Sequence, residues 1–232
     1  LGVTQIIGYG TLYYAFASVA PSVAAELRVT EEILFGYLSL GFLAGGLVAP
    51  FLGRLMDHVG AARIMTFGSL GNAVLLALAA ISQNALLFAV TTIAMQIVSV
   101  STAYDAAFAT INQAAGVRAQ KTITHLTLIA GFSSTVFWPV TGWLTDISGW
   151  RGTYLVFAAM HAFLCMPLHA LLWRRAGPVH PVIAVATADT GEAMEAQPHG
   201  LRAFWMIAVS FAMSTALITA LGTHLVSLLL AK

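Results

Sequence analysis

Two eleven-residue stretches decide the fold: "PFLGRLMDHVG" at residues 50–60 and "PVTGWLTDISG" at residues 139–149. The second follows the first at a constant offset of 89 positions, and each ends one long apolar run and precedes another. The identical pairs are Pro50/Pro139, Gly53/Gly142, Leu55/Leu144, Asp57/Asp146 and Gly60/Gly149. So many matches at one offset indicate a duplicated membrane unit rather than a helix-capping turn that arose twice.

The composition excludes a soluble fold. Hydrophobic residues make up 59% of the 232 residues and charged residues only 8%, with a mean hydropathy of +0.87, whereas soluble domains carry about 25% charged residues. The formal net charge of +1 offers no basic surface for nucleic acid, so we expect no such partner. The single cysteine, Cys165, excludes an internal disulfide framework.

Seven apolar stretches are long enough to cross a lipid bilayer, which takes about 20 mostly apolar residues in a helix. Because backbone groups in lipid must pair within their own segment, each stretch is predicted to be α-helical. The chain is therefore predicted to be an all-α, polytopic membrane protein. The predicted spans are 1–25, 34–52, 64–81, 86–109, 123–144, 154–173 and 204–231.

A polar stretch at 174–202 separates residues 1–173, predicted to form a six-helix bundle, from residues 203–232, predicted to form helix seven. It holds three prolines and three acidic residues, so it is too hydrophilic to span and too rich in proline to form one helix. We interpret it as a cytoplasmic linker between two halves. Since the chain begins and ends inside apolar runs, we expect it to be a fragment.

Basic residues predict the orientation, because cytoplasmic loops carry an excess of Lys and Arg. Seven of the ten fall on the side of the N-terminus: Arg54, Arg63, Arg118, Lys121, Arg174, Arg175 and Arg202. The other three are Arg28, Arg151 and Lys232. A cytoplasmic N-terminus places the two repeated stretches at opposite faces, so helices one to three and four to six form an inverted repeat. Many secondary transporters are built in this way.

The stretch "GRLMDHVGAAR" resembles the signature loop of the major facilitator superfamily: a glycine, an aspartate four residues later, a glycine three further and then a basic residue. "GWR" at 149–151 is similar to that superfamily's entry to helix six. The resemblance implies the first half plus helix seven of a twelve-helix transporter. In members of that superfamily the loop forms a latch on the cytoplasmic side. The resemblance therefore implies that Gly53, Asp57, Gly60 and Arg63 are latch residues. Because Ala61 and Ala62 stand where basic residues are common, the latch would depend on Asp57 and Arg63.

Polar residues in the first and fourth predicted helices are the candidates for binding a solute. Gln5, Tyr9 and Tyr13 recur every four residues and so share one helix face. In the family that the chain resembles, these two helices line the central cavity, where such a face offers hydrogen bonds and an aromatic wall. The alternative is that the tyrosines anchor the helix at the membrane interface.

Asp105 is the acidic residue inside a predicted span, with Gln96 and Tyr104 on the same helix. A charge in hydrocarbon is costly and commonly marks a functional site, so Asp105 is a candidate proton or cation site. The alternative is an interfacial carboxylate paired with Arg118 or Lys121.

His224, in predicted helix seven, is a further cavity candidate because imidazole titrates near neutral pH. The surrounding "GTHLVSLL" is similar to a passage in bacterial carriers of monocarboxylates and oxalate, which suggests an organic anion. His161, Cys165 and His169 also share a face, but no carboxylate supports them, and we predict no metal site there.

The sequence therefore predicts a secondary active transporter in the cell membrane that moves a small solute, with a proton as a possible partner. It carries no phosphate-binding loop and no recognisable catalytic triad, so we expect neither an enzyme nor a cofactor. We expect a monomer when the protein is complete. The alternative function is a membrane receptor or scaffold that keeps the fold and moves nothing.

Overall fold

A computed structural model of the chain describes residues 1–115, 119–175, 205–206, 209–214 and 217. The chain forms two compact units, Leu1–Ile183 and Ala184–Lys232. The described part of the first unit is helical throughout and contains no strand. Its segments are α1 (Gly2–Tyr9), the π-helical π1 (Gly10–Tyr14), α2 (Ala15–Leu27), α3 (Glu31–Val59), α4 (Ala61–Ala80), α5 (Ala85–Ser99), α6 (Tyr104–Ala115), α7 (Ala119–Ala130), α8 (Ser133–Met160), the π-helical π2 (His161–Cys165) and α9 (Met166–Arg175).

Helical segments cover the residues of the first six predicted spans, but not as six separate helices. The predicted span 123–144 is divided between α7 and α8, and α8 continues past Gly149 into the predicted span 154–173. Four helical stretches among the described residues are long and apolar enough to cross a membrane: Glu31–Val59, Ala61–Ala80, Ala85–Ala115 and Ala119–Arg175. The outer surface is strongly apolar, since Leu47, Leu86 and Phe163 are each about three-quarters exposed. Such a surface would aggregate in water and suits a lipid environment.

The first two residues of the predicted linker at 174–202, Arg174 and Arg175, belong to the last turn of α9, and its remaining residues lie outside the described part of the chain. In the predicted helix seven, the described residues 205–206, 209–214 and 217 are helical.

The fourth predicted span is interrupted, contrary to the expectation of one continuous helix over 86–109. Between α5 and α6 the amides of Ser101 and Thr102 bond to carbonyls three residues back, at 3.0 and 2.9 Å. The hydroxyls of Ser99, Ser101 and Thr102 also bond to carbonyls three residues back, at 2.6–3.1 Å. Hydroxyl groups that bond locally compete with the regular helix ladder, and this cluster tightens the chain at residues 100–103.

The last glycine of each repeated stretch takes a left-handed backbone conformation. Gly60, with φ 92°, joins α3 to α4, and Gly149, with φ 66°, bends the chain within α8. They are the glycines of positive φ among the described residues. A side chain is strained in this region of backbone space, so both copies of the repeat keep glycine for the same physical reason.

Two apolar clusters hold the first unit together around α4, which contacts α3, α5, α6, α8 and α9. One cluster is aromatic and centres on Phe16, Phe88 and Tyr154, each at most 2% exposed. The other is made of smaller side chains around Met65 and Ala106. Both clusters lie between helices rather than on the lipid face, which fixes the helices relative to one another.

Residues of the "GWR" motif clamp three helix ends together. The carboxylate of Glu26, at the end of α2, accepts the Trp150 indole N–H at 2.6 Å and the Arg151 guanidinium at 2.8 and 2.9 Å. Arg151 also donates to the carbonyl of Ala80 at 2.6 Å, at the end of α4, and lies 4.3 Å over the Trp150 ring. The indole and then the guanidinium hold the pKa of Glu26 below its ordinary value.

We expect Gly149→Ala to lower the free energy of unfolding by about 1–3 kcal/mol, because only the positive φ opposes the added methyl group. Gly142→Ala is the matched control. A Cβ at either position would meet no atom within 4 Å, and alanine in a helix interior is favoured by up to about 1 kcal/mol. Thermal unfolding of the purified variants in detergent measures the change in stability of each. Equal destabilisation by the two variants would contradict a conformational role for Gly149.

We expect Arg151→Lys to lower the free energy of unfolding by about 1 kcal/mol, since an ammonium group cannot bond both Glu26 and Ala80 in the planar geometry of arginine. The carboxylate's contribution is present at neutral pH and is lost as pH falls through the lowered pKa of Glu26. The difference between wild type and variant should therefore shrink in acid. Thermal unfolding from pH 7 downwards measures it, with Arg175→Lys as the control.

Candidate functional site

A cavity of about 320 Å³ opens between α1, π1, α3 and the α5–α6 junction. We call it the tyrosine cavity. Its lining includes five of the seven predicted solute or coupling residues: Gln5, Tyr9, Tyr13, Gln96 and Asp105. Tyr104 stacks on the lining, and His224 lies outside the described residues. The structure thus brings together residues that are up to 100 positions apart in the chain.

Aromatic rings form one wall of the tyrosine cavity. Tyr9 packs against Tyr104 with ring centroids 4.6 Å apart, and Tyr13 packs against Phe42 at 5.6 Å. Tyr104 in turn stacks on Phe108 at 5.5 Å. Since each ring is held by another ring, the wall is rigid and presents both ring faces and hydroxyl groups.

Gln5 crosses from α1 to the interrupted backbone between α5 and α6. Its side chain is 1% exposed, and its Nε2 donates to the carbonyl of Thr102 at 2.8 Å. Asn72 of α4 approaches the same residue, donating from Nδ2 to the Thr102 hydroxyl at 3.2 Å. The Thr102 carbonyl, which lies in the tightened turn, is thereby satisfied by the Gln5 side chain.

Gln96 makes the reverse connection, from α5 to the π-helical turn of the first helix. Its side chain is 2% exposed, and its Nε2 donates to the carbonyl of Leu12 at 3.0 Å. A π-helical turn widens the backbone ladder and frees a carbonyl, which Gln96 satisfies. The two glutamines therefore form a reciprocal pair of amide clamps, each donating into the irregular backbone of the other helix.

The amide clamps occupy the Nε2 donors of both glutamines, so these donors are not available to a solute. Both side chains are almost fully buried, and each Nε2 is occupied by a carbonyl of the protein. Gln5 and Gln96 were predicted as solute-binding or coupling residues. In this arrangement their amides position the walls of the tyrosine cavity.

Asp105 lies in the first turn of α6, exposed and facing no basic partner among the described residues. It lines the tyrosine cavity beside Thr102 and Ala103. Two basic residues, Arg118 and Lys121, were considered as ion-pair partners of Asp105. Arg118 lies outside the described residues. Lys121 is exposed in α7 and makes no ion pair with Asp105 in the described part of the chain.

The predicted latch residues surround the turn from α3 to α4. Gly53, Asp57 and Arg63 are exposed, and Gly60 is buried at the turn itself. Asp57 and Arg63 form no ion pair among the described residues. Instead, the Arg63 guanidinium lies 5.3 Å over the ring of Trp173, near the end of α9.

Gln113, which the sequence analysis did not single out, fastens this turn to α6. Its Oε1 accepts the N–H of Ala61 at 3.0 Å, and its Nε2 donates to the carbonyl of Met56 at 3.1 Å. One side chain thus caps the first turn of α4 and the last turn of α3. The available signal was an amide side chain near the end of α6, next to the similar side chain of Asn112.

The Major Facilitator Superfamily family model matches residues 2–231, nearly the whole chain. The chain belongs to the major facilitator superfamily. No curated protein and no solved structure matched it. Members of this superfamily are membrane transporters of small solutes and not enzymes, so the protein is a membrane transporter of the facilitator type.

Two buried histidines connect helices of this superfamily member through hydroxyl groups. His161 Nε2 lies 2.8 Å from Thr11 Oγ1, and His169 lies 2.8 Å from Ser69 Oγ and 2.9 Å from Thr4 Oγ1. These contacts join α9 and π2 to the first helix and to α4. The described residues contain no group of three or more His, Cys, Asp or Glu side chains that could hold a metal ion.

We expect Gln96→Leu to loosen the first helix and Gln5→Leu to loosen the α5–α6 junction. Each variant leaves a buried carbonyl without its donor, which costs about 1–3 kcal/mol. Hydrogen exchange should therefore accelerate at residues 10–14 in the first variant and at 100–103 in the second. Gln120→Leu, at an exposed position of α7, is the control. Faster exchange confined to the helix that carries the substitution would contradict the reciprocal clamps.

We expect Gln113→Leu to accelerate hydrogen exchange of the amides at 56–62, because both capping bonds are lost. Gln113→Glu should have an intermediate effect, since its carboxylate still accepts from Ala61 but cannot donate to Met56. Asn112→Leu, at the exposed neighbouring position, controls for an added apolar side chain. Unchanged exchange in Gln113→Leu would show that the turn does not depend on this cap.

Proposed function

We propose that the protein is a secondary active transporter that moves a small solute by alternating access, driven by an ion or solute gradient. The observation that carries the proposal is the tyrosine cavity, which gathers the predicted polar residues of α1, α5 and α6 beside a carboxylate. A concave, mostly apolar site with a few polar groups is the usual form of a small-molecule site.

We further propose that the described helices are the first half of a twelve-helix protein, with a 3+3 inverted repeat and helix seven after the linker at 174–202. The amide clamps support this symmetry. Gln5 and Gln96 are 91 positions apart, and the carbonyls that accept from them, on Thr102 and Leu12, are 90 positions apart. The repeated stretches differ by 89 positions, so the clamps and the turns repeat at nearly the same offset.

In the proposed orientation the N-terminus is cytoplasmic and the protein lies in the cell membrane as a monomer. Gly53, Asp57, Gly60 and Arg63 then form a cytoplasmic latch between conformations. The Gln113 cap supports this role, because it couples the latch turn to α6, the helix that carries Asp105. The contact of Arg63 with Trp173 offers a second connection, from the latch to the end of α9.

Within this proposal Asp105 is the coupling residue, with a proton as the coupling ion. Its exposure to the tyrosine cavity supports access to an ion from solution. An organic anion as the solute, suggested by the residues around His224, would need basic groups from outside the described lining. The lining itself contains no Lys, Arg or His.

The test is uptake of a panel of labelled carboxylates, amines and sugars into proteoliposomes that contain the complete transporter. We expect saturable uptake of at least one solute, accelerated by a proton gradient and slowed by a protonophore. A protein that binds a solute of the panel without moving it would instead be a receptor or scaffold.

Asp105→Asn should reduce gradient-driven accumulation by at least about tenfold. The physical reason is that an amide cannot take up and release the coupling proton. Asp146→Asn, an exposed carboxylate in the second repeated stretch, is the matched control. Unchanged uptake with an unchanged pH dependence in Asp105→Asn would remove the coupling role.

A further inference from the structure

The charge on the lining of the tyrosine cavity has one sign. Asp105 is the carboxylate in its lining, and no Lys, Arg or His of the described residues lines it. Four arginines of the described residues lie at helix ends or bends: Arg28 follows α2, Arg54 and Arg63 flank the turn from α3 to α4, and Arg151 follows the bend at Gly149 within α8. Asp105 is exposed to the cavity, so its carboxylate can pair with a cation that enters.

Helix ends at the cavity do not reverse this sign. The N-terminal end of α6, which favours an anion, meets the C-terminal end of α5, which favours a cation. Their partial charges are opposite and adjacent, so they largely cancel. The Asp105 carboxylate then remains as the net charge at this point of the lining.

Ring faces supply the second element of a cation site. Tyr9, Tyr13 and Phe42 all line the same cavity as Asp105. The negative face of an aromatic ring attracts an ammonium group that lies within about 6 Å of the ring centroid. The same rings offer apolar surface to the rest of a solute.

Among the described lining residues, one buried polar atom has no partner, and it is an acceptor. The Nε2 of Gln5 is occupied by the Thr102 carbonyl, whereas its buried Oε1 has no partner among the described residues. A solute that brings N–H donors complements this pattern, and a carboxylate, which brings none, does not.

We propose that the tyrosine cavity binds organic cations in which an ammonium group is attached to an apolar body, an inference that rests on the transport function proposed above. Asp105 pairs with the ammonium group. The rings of Tyr9, Tyr13 and Phe42 contact both the charge and the apolar body, and this combination separates an organic cation from an inorganic one.

Three probes that share a phenylethyl body test the inference: 2-phenylethylammonium, 2-phenylethanol and 3-phenylpropionate. Their dissociation constants are measured by calorimetry with the complete transporter in detergent. We expect the ammonium compound to bind at least about tenfold more tightly than either other compound. Equal or tighter binding of the alcohol or the carboxylate overturns the inference, and so does a lack of ammonium binding.

Variants locate the site. Asp105→Asn should weaken binding of the ammonium compound about tenfold and leave the alcohol unchanged, whereas Asp146→Asn should change neither. Tyr9→Leu should weaken ammonium binding roughly fivefold, and Tyr9→Phe, which keeps the ring, should weaken it much less. Equal losses in Tyr9→Leu and Tyr9→Phe would assign the effect to the hydroxyl group and contradict ring recognition.

Failure of this inference differs from failure of the proposed function. Saturable uptake of a carboxylate or a sugar, without uptake or binding of the ammonium compound, keeps the transporter and overturns the cation site. Tight ammonium binding with no uptake of any solute in the panel keeps the site and overturns transport.

Discussion

The structure depends on one constraint, which is that every backbone carbonyl inside the hydrocarbon must find a donor within the protein. Regular helices meet it by themselves. This chain departs from regularity at several places, and at two of them, π1 and residues 100–103, a glutamine from the other helix supplies a donor. The irregular backbone is therefore stable only while the two helices stay in register with each other.

That requirement links the shape of the tyrosine cavity to the packing of the whole unit. The rings of Tyr9 and Tyr13 are carried by the helix that Gln96 clamps, and Asp105 follows the junction that Gln5 clamps. Asn72 and the buried histidines extend the same pattern of polar contacts between helices. A movement of one helix must then be accompanied by a movement of its partner.

Much of the fold was predictable because it depends on local pattern. The long apolar runs predicted an all-helical membrane protein, and the repeated stretches contain the two positions where a positive φ requires glycine, Gly60 and Gly149. The grouping of Tyr9, Tyr13 and Asp105 was predictable only through the resemblance to a family. The interruption at 100–103 was not predicted, although its cause, the hydroxyl cluster of Ser99, Ser101 and Thr102, is visible in the sequence. The amide clamps and the Gln113 cap join residues about 50 to 100 positions apart, and no local pattern reveals such partners.

The clamp of Glu26, Trp150 and Arg151 has a consequence for folding during synthesis of the protein. Its partners are 124 and 125 positions apart, so at a synthesis rate of roughly 5–20 residues per second the Glu26 carboxylate waits on the order of ten seconds for them. Until Arg151 emerges from the ribosome, the ends of α2 and α4 have no common partner. The arginine therefore closes the nascent bundle only after its earlier helices have been made, and a substitution there would prolong the interval in which an incomplete membrane protein is open to degradation.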